Sequence, residues 1–135
     1  MRRHLLPFVA LLAAGCQLPA DRMPLKPLPE DAAPLPYAEL LTRARAQDAA
    51  ATEAFDANNW SDLEDAGRGL EQTARFLAKA TDVPARHKDS LAVLAGDLGK
   101  AGARLREAAK AKDPKRVKEA MGEVHLRVRA LRLEE

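Results

Sequence analysis

Val117-Lys118-Glu119-Ala120-Met121-Gly122-Glu123-Val124-His125-Leu126-Arg127-Val128-Arg129-Ala130-Leu131 decides the fold. Val117, Met121, Val124, Val128 and Leu131 recur in steps of four, three, four and three, which puts one apolar seam on a 3.6-residue helix. Asp113 and Pro114 precede the seam as cap and first helical residue. The seam cannot be buried alone. It requires partner helices, and the chain upstream supplies three.

Working back, Leu91, Leu94, Leu98, Ala101 and Leu105 form a second stripe, continued by Ala108 and Ala109. Gly96, Gly99 and Gly102 recur beside it. Each costs about 1 kcal/mol against alanine inside a helix, so close packing of a neighbour is expected. Leu63, Gly67, Leu70, Ala74 and Leu77 make the third stripe, flanked by Phe76. Ser61-Asp62-Leu63-Glu64 reads as its capping box. Trp60, just before, is placed to close one end of the core, with ligand stacking as the functional alternative. Leu40, Ala44, Gln47, Ala51 and Phe55 make the fourth stripe, which is thin and alanine-rich. Asn58-Asn59, Thr81-Asp82-Val83-Pro84 and Lys112-Asp113-Pro114 punctuate the helices. The expected spans are 37–58, 61–81, 84–111 and 114–133. Short connections imply an all-α, antiparallel up-down-up-down four-helix bundle over residues 37–135.

Upstream of Tyr37 the composition changes. Pro19, Pro24, Pro27, Pro29, Pro34 and Pro36 interrupt any apolar period. Proline fixes φ and removes backbone donors, so residues 16–36 read as a disordered, extended linker. The nineteen residues 18–36, at roughly 3.1 Å each, would hold a domain up to about 60 Å from its tether. Ahead of the linker, Met1-Arg2-Arg3-His4 is a basic start. Leu5 to Gly15 is an apolar run broken by Pro7, shorter than the roughly 20 residues a spanning helix needs. A basic start, a short apolar run and small residues before a cut site describe a secretory signal over residues 1–15.

Leu12-Ala13-Ala14-Gly15-Cys16 resembles the lipobox of bacterial lipoproteins, with Ala13 where leucine is commonest. The resemblance implies that Cys16 becomes the first mature residue and carries acyl chains. Cys16 is the only cysteine, which excludes an internal disulfide. Gln17, rather than aspartate, follows it. By the sorting rule of enteric bacteria, that implies the outer membrane, on the periplasmic side.

The full chain carries 22 Lys+Arg against 20 Asp+Glu, and losing Arg2 and Arg3 with the signal leaves it balanced. Nothing in that balance calls for nucleic acid. The charge is uneven, however. Residues 37–85 carry five basic and nine acidic side chains, and residues 86–135 carry thirteen and eight. Lys110, Lys112, Lys115, Arg116 and Lys118 gather at the turn between the third and fourth helices. That cluster is a candidate contact for an envelope protein or an anionic envelope polymer; a solvated turn is the simpler account.

The search for chemistry finds no active site. His87 and His125 are the only histidines after residue 15. They lie about 20 Å apart along the expected bundle, so they cannot share a metal. Met121 and His125, one turn apart, are the candidate pair if haem is bound. No Glu-x-x-His pair repeats, as a di-iron bundle requires. The serines and threonines have no histidine at usable spacing, and no glycine-rich phosphate loop follows a strand. The chain reads as non-enzymatic, without cofactor, and monomeric.

Over residues 37–135 the outline resembles the cytochrome c′-type four-helix bundles. In that family the last helix carries Cys-x-x-Cys-His, and here the corresponding stretch is Val128-Arg129-Ala130-Leu131-Arg132. The resemblance implies a haem-less relative, with apolar residues in place of both thiols and an arginine in place of the axial histidine. Two functions stand. One is a membrane-anchored envelope lipoprotein that binds a partner or fills a structural role. The other is a haem or metal carrier that holds its cofactor noncovalently.

Overall fold

The computed structural model describes residues 25–133. The signal segment and Cys16 lie outside the described residues. Four helices make up the fold: α1 Tyr37–Asp56, α2 Trp60–Leu77, α3 Leu91–Lys110 and α4 Pro114–Ala130. No strand occurs among the described residues; a single isolated bridge joins Pro36 and Thr81.

The α1–α2 and α3–α4 turns are built alike. At the first, Asn58 takes a left-handed φ of 56°. Its N–H bonds the Phe55 carbonyl and that of Asn59 bonds the Ala54 carbonyl. At the second, Lys112 takes φ 51°, with its N–H on Ala109 and that of Asp113 on Ala108. Each is a Schellman closure, in which a left-handed residue lets the last free carbonyls find donors. In each, the next residue caps the following helix. Asn59 accepts from the Asp62 N–H, and Asp113 accepts from the Arg116 N–H. The cap of α2 is therefore Asn59, and the box expected at Ser61 does not form. Asparagine two places earlier already satisfies the free amide, and the helix starts at Trp60.

The third helix begins later than expected. Pro84 is followed by a 3₁₀ turn, Ala85–His87, and α3 starts at Leu91 behind a non-helical Ser90 (φ −104°, ψ 0°). This break turns His87 inward, where it is buried and stacked on Tyr37 with ring centroids 5.7 Å apart.

The expected stripes form one core. Leu40, Leu63, Leu70, Leu77, Leu98, Leu105, Val117, Val124 and Leu131 are fully buried. Each large apolar side chain so buried stabilises the fold by about 1.5–3 kcal/mol before entropy is counted. Phe55, Leu91, Leu94 and Met121 are half-buried against this core, as is Trp60. The most extensive contact joins α2 to α3. There Gly67 and Gly102 face each other. A Cβ on Gly67 would lie 2.7 Å from the Arg106 amide nitrogen and 2.8 Å from the Gly102 carbonyl oxygen. A Cβ on Gly102 would lie 2.9 Å from the Leu70 Cβ. The expected packing reason thus holds strongly at Gly102. Gly99 would make an ordinary contact with Ala74, and a Cβ on Gly96 would meet nothing within 4 Å.

Residues 25–36 correct the expectation of a linker disordered as far as Pro36. They form a strap along α1 and α2. Gln72 accepts from the Leu28 N–H and donates to the Leu28 carbonyl, both at 2.8 Å. Arg43 donates to the Lys26 carbonyl at 2.7 Å, and Arg75 pairs with Glu30 at 3.3 Å. Leu28, Ala32 and Leu35 pack on the core. Proline excludes helix here but not docking, because leucines between the prolines supply apolar surface and Gln72 serves the exposed peptide groups.

The glycines yield a paired test. Gly102→Ala should destabilise the fold by about 1–3 kcal/mol, because its Cβ meets Leu70 and backbone. Gly96→Ala should stabilise it by about 0.5–1 kcal/mol, because helix propensity acts alone. Urea unfolding followed by circular dichroism checks both, and equal effects would contradict the packing account.

Candidate functional site

Two concave surfaces and one charged corner are the candidates. The first surface, about 430 Å³, lies between α1 and α4. His125 and Arg129 contribute from α4, Arg132 from just beyond its end, and Arg45, Asp48 and Thr52 from α1. His125 is exposed on its rim, with Nδ1 3.1 Å from an Asp48 carboxylate oxygen. Met121 packs against the core and does not line this groove. The structure therefore does not bring Met121 and His125 to one concavity. The second surface, about 660 Å³, lies between α1 and α2. Alanines dominate its walls (Ala46, Ala50, Ala54 and Ala66 among them), and Leu25 of the strap enters it. Small side chains on both helices open this groove, as the thin first stripe requires.

The positions matching the c′-type attachment motif are part of the core or its edge. Val128 and Leu131 are buried, and the Arg132 side chain is exposed. The Arg132 carbonyl oxygen lies 2.8 Å from His87 Nε2. Among the described residues no group of three or more histidine, cysteine or carboxylate side chains is arranged to hold a metal. No described helix is long and apolar enough to cross a membrane.

A polar knot closes the end where α1 begins, and sequence reasoning missed it. The Tyr37 hydroxyl donates to the Leu131 carbonyl at 2.6 Å, and His87 stacks on the Tyr37 ring. The chain's only tyrosine, only buried histidine among the described residues and last turn of α4 meet here. Tyr37 stands one helical step before Leu40 and extends the α1 stripe, but it sits at the edge of the proline-rich stretch, outside the stripe read from Leu40 onward, and its partner Leu131 is 94 residues away. Its phenol is pushed up to about 12 by burial, against a smaller lowering from the Arg86 cation.

The charged corner lies at the α3–α4 turn. Lys110, Lys112, Lys115, Arg116 and Lys118 are all exposed around the α3–α4 turn. Lys118 Nζ sits 5.8 Å from the centre of the Phe55 ring. This contact places the end of α1 beside the start of α4. Along the bundle flank Arg106 grips Glu71 through Nε and Nη2, at 2.6 and 3.2 Å. That carboxylate raises the guanidinium pKa further. Arg104 pairs with Glu123, and Arg127 with Asp97.

Comparison with protein-family models, curated proteins and solved structures finds no match to this chain.

Tyr37 gives a direct measurement. Folding raises its pKa from 10.0 to about 12, so the native state holds a proton that the unfolded state releases. Stability should be intact below pH 10 and fall between pH 10 and 12, by up to about 3 kcal/mol. Tyrosinate absorbance of the native protein should rise only near pH 12, and Tyr37→Phe should remove that part of the pH dependence.

Proposed function

We propose that this chain is a non-enzymatic, lipid-anchored envelope lipoprotein. Cys16 holds it to the outer membrane facing the periplasm, and its helical domain works as a monomeric binding or structural bundle. The observation that carries the reading is the lipobox-like Leu12–Cys16 ahead of a domain whose interior its own side chains fill. An antiparallel up-down-up-down arrangement belongs to the same reading. Its support is the register of the contacts, in which one helix number rises as its partner's falls. Asp97 meets Arg127 while Arg104 meets Glu123. Gly67 meets Gly102 while Ala74 meets Gly99. Tyr37 meets Leu131, Asp48 meets His125, and Phe55 meets Lys118.

Descent from the haem-binding c′-type bundles is compatible with this reading. Covalent attachment inside the bundle needs thiols that residues 37–135 do not contain. A noncovalent carrier needs a ligand aimed into a cavity, whereas His125 is on a rim beside Asp48 and Arg132 is a permanent cation.

Two measurements test the reading. Wild type should fractionate with membranes and carry acyl chains by mass spectrometry, and Cys16→Ser should release it to the soluble periplasm. Protein purified after growth with haem should show no Soret absorbance at one haem per chain. A soluble, unlipidated wild type contradicts the anchor, and a stoichiometric Soret band revives the carrier.

A further inference from the structure

The strap determines which way the tether leaves. Pro36 is fixed beside Thr81, at the end of the bundle where α1 begins. Read backwards from there, the chain climbs along α1 and α2. Leu35 takes the Thr81 N–H on its carbonyl, Leu28 is level with Gln72, and Leu25 reaches the groove walled by Ala46, Ala50 and Ala57. It is then heading for the end that carries the α1–α2 and α3–α4 turns. From the level of Ala46–Ala50 to Asn58, roughly 12–18 Å of helix remains. Residues 16–24 are nine, and nine residues reach at most about 30 Å. A lipid on Cys16 therefore lies within about 30 Å of Leu25, which leaves the hairpin-turn end, roughly 12–18 Å beyond that level, within reach of the bilayer. The 60 Å stand-off expected of a free linker is lost.

That end carries the basic corner. Lys110, Lys112, Lys115 and Arg116 form no ion pair among the described residues, and they surround the N-terminus of α4. The nearby carboxylates are Asp113, which caps α4, Glu107, which pairs with Arg106, and Glu119. Asp56 and Asp62 lie on the α1–α2 side of the same end. The basic side is thus the α3–α4 side. We propose that this turn is a docking surface for the anionic headgroups of the bilayer that anchors Cys16. The bundle stands on its hairpin-turn end, tilted toward α3 and α4. The proposal rests on the lipid-anchor reading for its geometry, and on the free cations for its chemistry.

The two parts are tested separately. The mature chain with Cys16→Ser should bind vesicles of phosphatidylglycerol mixed with phosphatidylcholine, and not phosphatidylcholine alone, with affinity falling as salt rises. At roughly fivefold per cation, Lys110→Gln, Lys115→Gln and Arg116→Gln together should weaken binding on the order of 100-fold. Arg86→Gln with Lys88→Gln, at the other end, should leave it unchanged. Orientation is read on the lipidated protein. The only tryptophan, Trp60, opens α2 at the hairpin-turn end, so it reports energy transfer to dansyl-labelled headgroups. Transfer should be strong in wild type and reduced in the triple variant. The proposal is overturned by equal binding to neutral vesicles, by a triple variant that binds like wild type, or by an anchored protein without transfer. Capture by peptidoglycan sacculi in place of vesicles also overturns it. If Cys16 carries no lipid while anionic vesicles still bind through the three cations, the anchor reading alone fails and the docking surface stands.

Discussion

The close crossing of Gly67 and Gly102 is the constraint on which the rest of the packing depends. Without Cβ atoms at these two positions, α2 and α3 approach until backbone of one lies against backbone and Leu70 of the other. Alanine-lined helices gain little from burial per residue, so they must come close to gain enough contact. The crossing also sets depth. It brings Leu70, Leu98 and Leu105 into one core and carries Arg106 to where it grips Glu71 with two nitrogens. A planar guanidinium on a carboxylate fixes orientation as well as distance.

Close approach leaves the register underdetermined, because alanine faces slide past one another with little penalty. Buried polar pairs supply what the alanines lack. Gln47 on α1 accepts from the Thr73 hydroxyl on α2 at 2.9 Å, and both are buried. A shift of either helix would strand these groups unpaired, at about 1–3 kcal/mol each. At the open end Tyr37 and the Leu131 carbonyl do the same for α1 and α4, whose contact along the groove is otherwise the slightest of the four. Each helix–helix seam is thus fixed by a different device: the hydrogen-bonded pair, the glycine notch, the flanking ion pairs of α3 and α4, and the tyrosine.

Periodicity made the helices legible. Val117, Val124, Val128 and Leu131 of the last seam, and Leu98, Leu105, Leu63 and Leu70 of the stripes before it, are buried where spacing put them, with Met121, Leu91 and Leu94 half-buried beside them, and Asp113 caps with Pro114 behind it. What stayed hidden depends on contacts between residues distant in sequence. The strap is held by Gln72, which stands 44 residues from Leu28. A glutamine beside an apolar stripe carries no local mark of that role. The later start of α3 goes with His87 stacking on Tyr37, again a long-range contact. The glycines were half legible. Their cost in a helix signalled a reason at Gly102, but the same signal at Gly96 led to open space. Of the candidate site residues, the basic turn could be read from sequence as a cluster. Its position relative to the point where the chain enters the strap could not, because that depends on the fold of the strap.

The strap changes what the proline-rich stretch does physically. A free chain of this composition would decouple the bundle from the residues that precede it, since extended, solvated backbone transmits distance and little orientation. Docking Leu28, Ala32 and Leu35, and spending Gln72, Arg43 and Arg75 on the backbone and Glu30, binds the last twelve residues of the stretch to the bundle. The exit point then becomes a fixed place on the surface, beside the alanine groove. Charge on the bundle acquires a direction relative to that exit, and the uneven distribution between the first two helices and the last two becomes a matter of which side faces it. Sequence gives the charge of each helix, and only the fold of the strap gives it an orientation.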